Sequence, residues 1–286
     1  MQRITFIIAL LLVTLHTFPA RAEKSPTAKT CGEVVTTPSH DSTTTRYTTA
    51  FPQGSSVDRR TTLVLLAGGG GNLNLDDNGC PRNLTGNSLI RSIPFFHEYG
   101  FETALVDAPS DHSAGDGLAG FRNDNRHADD LGNIIAAIRK RTQGAVWLVG
   151  TSRGTISAVN AASRLSGPSA PDGIVLSSIL TVGTRDGRKA WTVQTVFDHP
   201  LESIKIPVLL VGHAADRCLR SPPGMMNDVA LRLKVVRKQL VVVSGGAEYD
   251  GPSGLAACEG RSPHGFIGQE AEVAAGIMRF MKGGSY

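Results

Sequence analysis

Residues 146–155 read Val146-Trp147-Leu148-Val149-Gly150-Thr151-Ser152-Arg153-Gly154-Thr155, or VWLVGTSRGT, and ISAVNAASRL follows. An apolar run thus ends in Gly-x-Ser-x-Gly and passes into a segment of helical character. A serine in that place is one of two things. It caps an ordinary helix, or it stands at the apex of a sharp strand-to-helix turn. Such a turn needs small residues two before and two after the serine, because it brings the strand and helix backbones together. Gly150 and Gly154 meet that requirement. Five letters of this kind also arise by chance, so the rest of the chain has to decide.

Outward from this turn the chain alternates. Residues 61–67 (TTLVLLA), 101–106, 145–149, 173–182, 206–211 and 240–243 read as strands, several of them apolar throughout, as in strands buried on both faces. Between and after them, 88–99, 125–141, 152–165, 223–236 and 268–281 read as helices. The segment 125–141 shows the reason most clearly, with Leu131, Ile134, Ile135 and Ile138 at helical spacing. The Thr- and Val-rich stretch 31–50 predicts one or two edge strands. Strand and helix alternating at this spacing predict an α/β protein: a mainly parallel central sheet with helices on both faces. In such sheets ligands bind beyond the C-terminal ends of the strands, so the loops there are where chemistry is sought.

Three of those loops carry it. Besides the turn at Ser152, the loop after 206–211 reads GHAADRCLRSPP and contains Asp216. The segment ahead of the last helix reads GRSPHGFIGQE and contains His264. A serine hydroxyl attacks poorly until a base takes its proton. An imidazole does this and then protonates the leaving group, while a carboxylate orients the ring and stabilises the imidazolium. Singly, an Asp in a turn or a His before a helix means little. Together, each after the appropriate strand, they point to a Ser152–Asp216–His264 triad. Asp186 and Asp250 are the alternative acids. The anionic intermediate needs backbone donors. One is the Arg153 amide; the other is sought in Gly68-Gly69-Gly70-Gly71-Asn72 after the strand at 61–67, with Gly70 and Gly71 as candidates. Asp111 and His112, together with Asp107 and Ser110, are candidates for the rim of the site.

Other chemistries find no support. The glycine run lacks G-x-G-x-x-G spacing and no Gly-Lys-Ser/Thr follows, so neither a dinucleotide nor a P-loop nucleotide is expected. No metalloprotease-type His/Glu pattern occurs, and no metal or other cofactor is expected. The formal charge is +4, and without Arg3 and Arg21 it is +2. With no Lys/Arg cluster, that surplus gives no case for nucleic-acid binding.

The first residues, MQRITFIIALLLVTLHTFPARAEK, combine Arg3, an apolar stretch and Ala20-Arg21-Ala22, the pattern of a secretory signal peptide cleaved after Ala22. The apolar stretch is shorter than the ~20 residues of a spanning helix, so no stable membrane anchor is expected. Residues 23–286 are read as a single domain, exported to a periplasmic or extracellular space. Four cysteines in an oxidising compartment imply two disulfides. Three pairings are formally possible. Cys218 lies two residues after Asp216 and Cys258 six before His264, so a Cys218–Cys258 bridge would tie acid loop to base loop, leaving Cys31–Cys80.

With LVLLAGGGGNLNL, VDAPSDH, FRNDNRHADDL, VWLVGTSRGTISA and ACEGRSPHGFIGQE in place, the chain resembles the α/β-hydrolase superfamily, and more narrowly small secreted bacterial hydrolases. The order Ser, Asp, His along the chain is that of this superfamily. The resemblance implies the fold, with Ser152, Asp216 and His264 as nucleophile, acid and base; it implies no substrate. Only residues 183–205 are available for a lid, so little or no lid and a rather open site are expected. The activity expected is hydrolysis of a small-molecule carboxylic ester through an acyl-enzyme. Lysophospholipase, thioesterase or peptidase chemistry would use the same triad, and a non-catalytic binding protein on this scaffold is the alternative outside enzymes. The sequence is silent on oligomeric state.

Overall fold

The computed structural model describes residues 30–51, 61–184 and 189–286. The proposed signal peptide and Asp186 lie outside these. Eight strands form one sheet: β1 (Glu33–Pro38), β2 (Thr44–Ala50), β3 (Thr62–Leu66), β4 (Glu102–Val106), β5 (Val146–Thr151), β6 (Gly173–Ser177), β7 (Val208–His213) and β8 (Lys238–Val243). Their order is β1-β2-β4-β3-β5-β6-β7-β8. β1 and β2 pair antiparallel, as do β2 and β4; every other pairing is parallel.

Side chains along a strand alternate between the two faces of a sheet, and the core divides accordingly. Leu63 and Leu65 of β3 join Trp147 and Val149 of β5 on the face covered by α1 (Ser88–Glu98) and α5 (Glu270–Met281). Val64 and Leu66 join Leu148 on the opposite face, under α2 (Asn125–Thr142), α3 (Gly154–Arg164) and α4 (Met226–Arg232). Burial on both sides is why these two strands are apolar except for Thr62 and Thr151 at their ends. Helix α2 presents Leu131, Ile134, Ile135 and Ile138 to that core, and it begins at Asp124, whose carboxylate accepts from the Arg126 amide at 2.9 Å.

Differences from the sequence reading concentrate at element ends. The strand expected over 173–182 stops at Ser177, because Ser178 takes a left-handed backbone (φ 46°). The helix expected over 223–236 is a 3₁₀ turn at Pro223–Met225 followed by the short α4. The helix expected from Ser152 begins only at Gly154, which leaves Ser152 and Arg153 in the turn itself. Among the described residues of 183–205 there are three short 3₁₀ turns and no α-helix. No described helix is long and apolar enough to cross a membrane.

Candidate active site

Ser152 has φ 51°, a conformation disfavoured for any residue with a Cβ. The surroundings impose it. Its amide donates to Ser177 O at 3.0 Å, and its carbonyl accepts from the amide and the hydroxyl of Thr155 at 2.9 and 2.6 Å. A Cβ on Gly150 would lie 2.6 Å from Gly154 O, and one on Gly154 would strike Leu66 O. Both glycines of the motif are therefore needed for helix, elbow and β3 to approach.

His264 arrives from the other side. The acceptor of its Nδ1–H is Asp216 Oδ2 at 2.9 Å, and the second Asp216 oxygen accepts from the Cys218 amide at 2.8 Å. Of the two acids the sequence offered among the described residues, Asp216 is the one hydrogen-bonded to His264 Nδ1. The His264 carbonyl accepts from the Ser178 hydroxyl at 2.6 Å, and Ser262 Oγ accepts from the His264 amide at 3.2 Å. Nε2 is buried and has no hydrogen-bond partner. Ser152 and His264 line one cavity of about 320 Å³, together with Gly68, Gly69 and Asn87. Ser152 also borders a second cavity of about 440 Å³, walled by Arg153, Leu180, Trp191, Thr192 and Leu255. The Arg153 guanidinium lies 4.3 Å over the Trp191 ring. Burial, with Arg220 nearby, lowers its pKa to about 10, so it stays charged at neutral pH.

The glycine loop is built from behind. Arg122, 2% exposed, donates to Ala67 O at 3.0 Å, reaches Gly69 O at 3.5 Å and gives its other nitrogen to Ser157 Oγ at 2.7 Å. Burial, with Arg153 nearby, lowers its pKa to about 9. Asp107 grips the following residues by their amides, Leu73 at 2.6 Å and Leu75 at 3.0 Å. Gly71 is not a donor toward the cavity. Its amide bonds Gly68 O at 3.1 Å, and a Cβ there would lie 2.5 Å from the Arg122 side chain, so this residue faces inward. The amides of Gly69 and Gly70 make no backbone hydrogen bond, and Gly69 borders both cavities.

Asp111 and His112 also sit elsewhere. They belong to a turn (Ser110–His112) packed against His40 and line neither cavity at Ser152. Sequence reasoning put them at the rim because they follow a strand end, but the loop folds toward β2. Arg91 was not singled out from the sequence at all. From α1 it donates to Gly260 O at 2.8 Å and Gly265 O at 2.7 Å and pairs with Glu270 at 2.8 Å, bracing the His264 segment. Nothing local in the sequence marks it.

The disulfides are Cys31–Cys80 and Cys218–Cys258. The second joins the Asp216 loop to the His264 segment. It also takes up Cys218 Sγ, which lies near Asp216 and His264 but offers no thiolate to a metal.

No protein-family model matches the sequence, and no curated protein does. Solved structures do match. An esterase from the Planctomycetes species Thermogutta terrifontis is 17% identical, covering 87% of this chain and 92% of its own, with a TM-score of 0.54. An esterase from a Rhodococcus species is 15% identical over 88% and 99%, with a TM-score of 0.57. A structure described as an alpha-beta serine hydrolase homologue from Coxiella burnetii is 16% identical over 88% and 98%, with a TM-score of 0.54. The chain has the α/β-hydrolase fold.

Proposed function

We propose that this chain is an exported serine hydrolase that cleaves carboxylic esters through an acyl-enzyme. The observation that carries the reading is His264. One ring nitrogen is held by a buried carboxylate, and the other is left without a partner on a cavity shared with a strained serine. With Nδ1–H donated to Asp216, Nε2 carries the lone pair and acts as base. Ser152 Oγ adds to the ester carbonyl as its proton passes to Nε2. The carbonyl oxygen becomes an anion, received by the Arg153 amide and by an amide of Gly69 or Gly70. The imidazolium returns the proton to the departing alcohol, leaving Ser152 acylated. Water then attacks with the same base, and acid and free serine result. The two cavities meeting at Ser152 suit the two halves of an ester. The fold shared with esterases supports this reaction class, and the two disulfides support an oxidising compartment.

A fluorophosphonate probe tests the reading. Wild type becomes labelled and Ser152→Ala does not; equal labelling of both, or of neither, overturns it. p-Nitrophenyl esters of graded chain length then define the acyl preference. N-terminal sequencing of the protein recovered after export tests cleavage after Ala22.

A further inference from the structure

Away from Ser152, the fold brings two distant segments together. His40 lies in the turn His40–Ser42 just before β2, and Asp111 and His112 lie just beyond the end of β4. Because β2 and β4 run antiparallel, with Tyr47 opposite Val106, the start of one adjoins the end of the other. His40 Nε2 is 3.1 Å from Asp111 Oδ2, and His112 Nε2 is 3.6 Å from the same oxygen. One ligand atom from each residue falls within 4.8 Å of the other two.

Both rings are oriented by their other nitrogen. His40 Nδ1 meets Asp130 Oδ2 at 2.7 Å, and the same carboxylate accepts the His40 amide at 2.8 Å. His112 Nδ1 meets the Gly117 carbonyl at 3.1 Å. A carbonyl only accepts, so His112 carries its proton on Nδ1. A carboxylate likewise favours the proton on Nδ1 of His40. In their neutral forms both histidines then turn a lone pair toward a carboxylate oxygen, and three acceptors converge with no donor among them. A proton on His40 answers only the shorter contact. A cation answers all three.

We infer that His40, Asp111 and His112 form a binding site for a divalent transition-metal ion of the zinc type, with Asp130 and the Gly117 carbonyl as its outer supports. Zinc–ligand bonds of ~2.0–2.2 Å in a tetrahedron separate neighbouring ligand atoms by about 3.3 Å, and the two N···O separations bracket that value. Histidines whose second nitrogen is held by a carboxylate or a carbonyl are the usual support for such ions. Phe121 closes the inner side, with ring centroids 4.5 Å from His40 and 4.3 Å from His112. Asp111 is 42% exposed, which leaves an entrance and a position for water. The ion would pin the β1–β2 turn to the loop whose Leu118 amide bonds Gly70 O at 2.8 Å. No metal pattern is visible in the sequence because His40 and Asp111 stand 71 positions apart. The site plays no part in the ester chemistry, and its test is independent of it.

Protein stripped with a chelator and desalted is titrated with Zn²⁺ by calorimetry and thermal unfolding, and a zinc-soaked crystal is measured for anomalous scattering. The expected result is one equivalent bound and an anomalous peak ~2.0–2.2 Å from all three ligand atoms. A Tm rise of roughly 5–10 °C is expected at a hundredfold excess over Kd. Asp111→Asn and His112→Gln each weaken binding by about tenfold or more, and Ca²⁺ does not substitute. Absence of binding, a peak elsewhere, or equal affinity in folded Asp111→Asn overturns the inference. The cluster is then an ion-pair network only.

Discussion

Nδ1 of His264 lies 2.9 Å from Oδ2 of Asp216, with the two side chains 4% and 1% exposed. A carboxylate so deeply buried accepts a hydrogen bond from the imidazole Nδ1–H and so fixes which nitrogen remains free. In Asp216→Asn the amide can turn its NH₂ toward Nδ1, which moves the imidazole proton to Nε2 and removes the base. The expected outcome is a fall in kcat of ~10⁴ with little change in KM. Asp250→Asn should stay near wild type. Steady-state kinetics on one p-nitrophenyl ester with both variants checks the assignment, and the reverse pattern would make Asp250 the acid.

The Cys218–Cys258 bridge spans 40 positions and joins the loop of Asp216 to the segment of His264; Cys31–Cys80 spans 49 and ties the segment ahead of β1 to the chain beyond the glycine loop. Chain-entropy arithmetic gives each about 4 kcal/mol. Similar stability losses with unequal kinetic losses are therefore expected. Cys218→Ala/Cys258→Ala should lose at least about tenfold in kcat, since a displacement near 1 Å of a catalytic group costs up to ~10²-fold. Cys31→Ala/Cys80→Ala should lose stability alone. Denaturant midpoints beside kcat for the two double variants separate these effects.

Arg122 is a buried cation whose hydrogen bonds go to Ala67 O, Gly69 O and Ser157 Oγ, with no carboxylate among them. A trans peptide points its C=O and N–H in opposite directions. Holding the Gly69 carbonyl inward therefore turns the Gly70 amide outward. Arg122→Met should lower kcat by ~10²–10³, the loss associated with an oxyanion donor, while KM changes a few-fold at most. Arg122→Lys, able to reach one carbonyl, should recover part of kcat. A uniform rise in KM across substrates with kcat intact would show that Arg122 only supports the fold.

How far such features could be read from the sequence depended on the range of the interaction. The strands were legible because burial on both faces leaves runs such as TLVLL, in which Thr62 at the start is the one polar side chain. The elbow was legible because the close approach it requires is recorded in Gly150 and Gly154 themselves. Asp216 and His264 could be located by their place after strands. The inward turn of Gly71 depends on Arg122, about fifty positions away, and nothing in four consecutive glycines distinguishes one from the next. The position of Asp111 and His112 depends on His40 across a strand pairing, so their polarity alone read as a cavity rim. Arg91 reaches Gly265 over 174 positions and resembles any helix-surface arginine until α1 is docked.

His127 supplies a pH dependence of stability that can be isolated. It is buried on the first turn of α2, with Nε2 2.9 Å from Ser157 Oγ, and burial first, then the charge of Arg122, lowers its pKa from 6.5 to about 3. Above the unfolded value the ring is neutral in both states and contributes no slope. As pH falls below about 6.5 the unfolded chain takes up a proton that the folded chain refuses, so stability is lost on acidification, until the folded pKa near 3 is reached. One proton corresponds to a slope of at most about 1.4 kcal/mol per pH unit. His40 acts in the opposite sense: burial disfavours its charge, but its bonds to Asp130 and Asp111 prevail and raise its pKa, so its contribution is lost as pH rises. The total curve mixes such terms, and the difference between wild type and His127→Gln removes all but one. Urea unfolding of both proteins from pH 7 to 4 should show wild type losing stability faster than the variant on acidification. Parallel curves would mean that His127 is protonated in the folded state.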